Sequence, residues 1–179
     1  MSIPNFLRCT LLLAILSAPA PVVAQRIFPG FDGETVQGVT KHLPVTDSGS
    51  WTIYAVICGR KAQPILEEWF APCYNQFVMK SGLFAASYSA DLYLVPIFAG
   101  LDKAAYGPSI SALRKEVDED VAEHVIFFKG EGDRVIQALG IEDRNIPYFF
   151  TVDPKGNIVH QESGKFNVDK LDALEEPML

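Results

Sequence analysis

The chain has 179 residues, 49% of them hydrophobic and 21% charged, with a formal net charge of −7. An acidic balance of this size argues against nucleic acid and anionic lipid surfaces as partners. Three cysteines in such a length do not make a disulfide-dense scaffold.

Residues 1–24 read as a leader rather than as part of a fold. Arg8 supplies a positive start, Leu11 to Leu16 is an apolar run, and Pro19, Ala20 and Pro21 break it. The run is shorter than the roughly 20 residues that cross a bilayer. Val22 and Ala24 are small residues at the −3 and −1 positions of a cleavage before Gln25. Cys9 precedes the apolar run, so it is not placed to carry a lipid. The expected product is a periplasmic or secreted chain of 155 residues without a membrane anchor, carrying a net charge of −8 and two cysteines, Cys58 and Cys73. That is the length of one ordinary domain.

Arg26 to Ser50 shows no sustained period, and residues 25–50 are expected as an extended N-terminal segment with one short strand at most. Residues 51–179 form the expected domain. Trp51 to Cys58 is apolar and rich in β-branched and aromatic residues, so it is expected as a buried strand. Gly59, Arg60 and Lys61 break the pattern. Pro64 suits the first turn of a helix over Gln63 to Ser81, disturbed near Pro72 and capped by Gly82. Ala90 to Ala99 is a second strand, with Pro96 marking a bulge or an early end. Tyr106 to Ala122 has helical spacing of Ile110, Leu113, Val117 and Val121. His124 to Phe128 is a short strand and Asp133 to Leu139 a helix. Tyr148 to Val152 is a strand, and Asp153–Pro154–Lys155–Gly156–Asn157 is a turn that folds Ile158 to Gln161 back against it. A last helix starts at Asn167 or Asp169. The order β-α-β-α-β-α-β-β-α predicts an α/β fold with a mixed sheet and helices on both faces.

That order, with Ile146–Pro147 before a strand and the Asp153–Asn157 hairpin after it, resembles the thioredoxin-like superfamily. The resemblance implies a three-layer sandwich: a central mixed sheet between helices, closed by a β-hairpin and a helix. Cys58–Gly59 stands where that superfamily places its redox Cys-Gly, and Ile146–Pro147 resembles its cis-proline loop. There is no Cys-x-x-Cys: Lys61 occupies the position of the second cysteine. Two-cysteine exchange needs that thiol to release a mixed disulfide. Within the superfamily the chain resembles the periplasmic YtfJ-type proteins through its leader and Gly59–Arg60. It resembles the mitochondrial ATP synthase assembly factor through the missing redox pair and Trp69–Phe70–Ala71–Pro72.

Two readings of Cys58 follow. A thiol before a helix N-terminus, near Arg60 and Lys61, has features that lower a pKa, which would suit a one-cysteine oxidoreductase or peroxidase. Free cysteine is also among the most buried residue types, and the alternative is a packed side chain that closes the strand. A Cys58–Cys73 bridge needs Cα atoms about 4.4–6.8 Å apart, which a continuous helix would prevent. The favoured expectation is a non-catalytic binding or assembly protein that holds a protein or peptide partner. Its candidate site is Arg60, Lys61, Ile146, Pro147 and Tyr148, with Cys58 as the candidate catalytic residue of the rival reading. His42, His124 and His160 lack ligand spacing, and no cofactor or metal motif is present. The acidic run from Glu116 to Asp120 is expected as the wet face of a helix.

Overall fold

The computed structural model describes residues 26–80, 87–116, 119–128 and 130–179. The expected leader and the expected helix cap at Gly82 lie outside these residues, as do the side chains of the acidic run. Strand β4 (Trp51–Ile57) is an interior strand of the five-stranded sheet. It pairs parallel to β5 (Ala90–Pro96) and antiparallel to β7 (Tyr148–Val152). β7 pairs antiparallel to β8 (Asn157–Ser163), which carries the two-residue β1 (Arg26–Ile27) on its far edge. The strand order is β1-β8-β7-β4-β5. A three-stranded sheet in the order β3-β2-β6 joins β2 (Phe31–Thr35), β3 (Thr40–Leu43) and β6 (Ile126–Phe128). Isolated parallel bridges from Leu94 to Val125 and from Ile97 to Phe128 tie β6 to the open edge of β5.

Successive side chains of a strand point to opposite faces, and β4 uses both. Ile53 and Ala55 meet Leu66, Trp69 and Cys73 of α1 (Gln63–Cys73) and Leu171 and Leu174 of α5 (Val168–Glu175). Tyr54 and Val56 face the other way, onto Val135 and Ile136 of α4 (Gly132–Ala138) and onto Phe28, Phe31 and Leu43. A third cluster places Ile110 of α2 (Tyr106–Glu116) and Ala122 of α3 (Glu119–Ala122) over Val125 and Phe127. Leu94 packs against both the first and the third cluster, so α1 and α2 lie on the same face of the sheet.

Residues 26–50 differ from the expected extended segment. They form three short strands, and Phe28, Phe31 and Leu43 are core residues. The alternation that marks β2 is interrupted by Gly33, whose place leaves no room for a side chain: a Cβ there would lie 2.3 Å from Ile126 Cγ2. The α1 helix runs through Pro72 and then widens into a π-helical turn, Tyr74–Val78. A proline removes one backbone donor and crowds the preceding turn, and an i→i+5 turn absorbs the misfit. The last helix is capped as expected, with Asn167 Oδ1 accepting the Asp169 N–H at 2.9 Å.

The α1 face depends on Trp69. It is fully buried, stacks on Phe149 at 4.1 Å between ring centroids, and donates Nε1–H to Gly164 O at 2.9 Å. Trp69→Ala is expected to cost about 3–5 kcal/mol, read as a lower urea midpoint. A loss under about 1 kcal/mol would contradict this packing.

Candidate functional site

Because β4 lies between β7 and β5, its C-terminal end emerges within one rim of the sheet and not at its edge. Cys58 follows Ile57 directly, and alternation sends it to the α4 face with Tyr54 and Val56. It is 5% exposed and packs in that core with Tyr148 and Ile97. Burial pushes its thiol from the ordinary value of 9.0 up to about 12, and the nearby Arg144 guanidinium offsets only part of the shift. Gly59 is extended, and a Cβ there would lie 2.8 Å from Arg144 O, so only glycine lets these two segments meet so closely. Arg60 and Lys61 are exposed on the short 3-10 turn Arg60–Ala62, which leads into α1. Cys73 lies in the opposite core, and burial pushes its thiol up to about 12 as well. Both thiols are free, and the sheet separates them, which removes the bridge considered from the sequence.

The segment 142–147 faces this turn. Tyr148 Oη accepts the Asp143 N–H at 3.1 Å and anchors the loop. The Asp143 carboxylate accepts from Asn145 N and Asn145 Nδ2, both at 2.8 Å. These bonds, with the charge of Lys61, hold its pKa below the usual range. Arg144 pairs with Asp133 Oδ1 at 2.7 Å. Ile146 is half-buried against the Cys58 core. Pro147 is buried, and its carbonyl accepts the Gly164 N–H at 3.0 Å.

The structure therefore brings together Gly59, Arg60, Lys61, Arg144 and Ile146 as a rim. It turns Cys58, Pro147 and Tyr148 inward. Tyr148, expected as a binding residue, is a core residue that anchors the loop through its hydroxyl. The resemblance of Ile146–Pro147 to a cis-proline loop left the isomer open: the bond is trans, and among the described residues the cis bond is Leu43–Pro44. The two isomers of an X–Pro bond differ by only about 0.5–1 kcal/mol, so the residue pair alone does not select one.

Beside the rim runs a trough of about 610 Å³ between α1 and α2. Its floor includes Ile57, Leu94, Pro96 and Phe127, and its walls include Phe70 and Ala112. Sequence reasoning missed both this trough and Arg144. The available signals were Pro96, which ends β5 early, and small residues at helical spacing, Ala105, Ser109 and Ala112. Among the described residues no three His, Cys, Asp or Glu side chains gather as a metal site requires.

No family model and no curated protein matches the sequence. Solved structures do match in shape. The exposed lipoprotein thioredoxin of Streptococcus pneumoniae superposes with a TM-score of 0.57 at 15% identity, covering 83% of this chain and 99% of its own. The fold is thioredoxin-like. BsSco, a member of the Sco family of cytochrome c oxidase assembly proteins, matches the thioredoxin-like fold at a TM-score of 0.55 and 12% identity, over 86% of this chain and 94% of that one. A putative thiol:disulfide interchange protein, DsbE of Chlorobium tepidum, matches at 0.50 and 19%, over 86% and 96%. No described helix is long and apolar enough to cross a membrane.

The buried thiols and Tyr54 are expected to make the stability of the fold depend on pH. Cys58 and Cys73 are pushed up to about 12 from 9.0, and Tyr54 up to about 12 from 10.0, each chiefly by burial. Groups whose pKa is raised by folding favour the folded state below their unfolded pKa, and that advantage disappears as pH rises through the folded value. The urea midpoint is expected to be lower at pH 11 than at pH 8, with a smaller decline in Cys58→Ala/Cys73→Ala. Equal midpoints at the two pH values would contradict the burial of these groups.

Proposed function

We propose that this chain is an exported thioredoxin-like binding or assembly protein that does no thiol chemistry of its own. One observation carries the reading: the single sulfur at the redox position is buried and its thiol is pushed up to about 12. The thiolate is the nucleophile in exchange and peroxide reduction, so this environment opposes the one-cysteine oxidoreductase or peroxidase alternative. Lys61 at the second position agrees with the same reading. The leader expected over residues 1–24 supports export, as does the likeness in fold to an exposed lipoprotein thioredoxin.

The binding face is the exposed rim of Arg60, Lys61, Arg144 and Ile146. It offers cations and one apolar side chain to an extended protein or peptide segment, the kind of partner that loops on a rigid scaffold commonly hold. Pro147 and Tyr148 support the rim from beneath and do not touch the partner.

Two measurements test this. Reduction of insulin disulfides in the presence of dithiothreitol is expected to proceed at the buffer rate with the protein and with Cys58→Ala alike. Acceleration that Cys58→Ala abolishes would establish the thiol enzyme instead. Partners cross-linked to the protein in its native compartment are expected to persist in Cys58→Ala and to be lost in Arg60→Ala and Ile146→Asp. Retention of every partner by both rim variants would show that the rim is not the binding face.

A further inference from the structure

The trough between α1 and α2 has properties that the rim does not. Its volume of about 610 Å³ falls within the roughly 300–1,000 Å³ of small-molecule sites, which are mostly apolar with a few placed polar groups. The floor residues Ile57, Leu94, Pro96 and Phe127 are apolar. An extended peptide would find little to pair with here. The walls are helices whose backbone groups are used internally, and β5 is paired with β4 on one edge and bridged to β6 at Leu94–Val125 and Ile97–Phe128 on the other. Strand-like recognition needs free backbone groups, whereas a hydrocarbon chain needs none.

The charge at the mouth narrows the occupant further. Arg60, Gln63 and Glu67 line the trough at the start of α1. Gln63 Nε2 donates to Glu67 Oε1 at 3.2 Å, so that carboxylate already has a partner. Arg60 is exposed and makes no ion pair among the described residues. An apolar slot with an unpaired guanidinium at one end is complementary to an amphiphile with an anionic head.

We propose that the trough binds one long-chain carboxylate, its hydrocarbon chain along the floor between α1 and α2 and its carboxylate on Arg60. This ligand shares Arg60 with the rim, and its chain lies on the trough floor, which the rim does not cover. Glu67 opposes the bound anion, so it limits affinity rather than supplying it.

The test is calorimetric titration of the purified protein with octanoate, decanoate and dodecanoate, each below its micelle concentration, and with 1-decanol. One saturable site per chain is expected, with affinity rising up to about fourfold per added CH2. Arg60→Ala is expected to weaken decanoate by about tenfold, the size of one charge-assisted hydrogen bond, and to leave 1-decanol unchanged. Glu67→Gln is expected to tighten decanoate. Ala112→Trp fills the trough from an exposed helix position and is expected to abolish binding of all four, with the thermal midpoint showing that the fold is kept. Absence of saturable binding overturns the proposal, as does binding indifferent to Ala112→Trp. Equal weakening of decanoate and 1-decanol by Arg60→Ala overturns the placement of the head. Arg60→Ala affects both sites, whereas partner capture on the rim is expected to survive Ala112→Trp, which separates failure of the trough from failure of the rim.

Discussion

Strand β4 is hydrogen-bonded along both edges, parallel to β5 and antiparallel to β7, and covered on both faces. Every second side chain therefore commits to one of two separate cores, and the strand has no free register. A slip of one residue would exchange Ile53 and Ala55 with Tyr54 and Val56 and spoil both cores at once. This constraint reaches past the end of the strand. Cys58 is the next residue of the same alternation, so it inherits the α4 face and its burial. Cys58 adjoins the trough at this point, yet only 5% of the residue is exposed.

The inward thiol and the missing second cysteine reinforce each other. Burial raises the pKa of the thiol, and Arg144, whose charge offsets part of that shift, is itself engaged by Asp133. What remains at the rim is a rigid turn against a rigid loop. Gly59 abuts the Arg144 carbonyl, Tyr148 holds Asp143 from below, and Asn145 closes the loop onto the Asp143 carboxylate. Such a rim presents exposed side chains at low ordering cost, which favours binding without chemistry.

Much of this fold was legible because its signals are local. The Trp51 to Cys58 run, the Asp153–Asn157 turn and the strand Tyr148–Val152 each carry their own pattern, and their order leaves few α/β topologies. The N-terminal strands were not legible. β1 has two residues and β2 contains Gly33; β1 pairs with β8 and one edge of β2 with β6, each more than ninety residues away, while the other edge of β2 pairs with the nearby β3. The site was half legible. Glycine, arginine and lysine after a strand mark a turn, and Ile146–Pro147 marks the facing loop. Whether Cys58 points inward depends on which face of β4 the α4 core occupies, and that is tertiary information. The isomer at Pro147 and the inward path of Tyr148 depend on tertiary context in the same way. The trough is made by two helices separated by more than thirty residues of chain, and neither shows it alone.

The sulfur at the end of β4 is enclosed by the core around it. The most direct measurement is the rate of iodoacetamide alkylation of Cys58 in the folded protein from pH 6 to pH 10, with the modified residue identified by mass spectrometry. Negligible modification of Cys58 is expected across that range, with rapid reaction of both thiols once urea unfolds the chain. Fast modification of folded Cys58 at pH 7, with an apparent pKa below the ordinary value of 9.0, would contradict it.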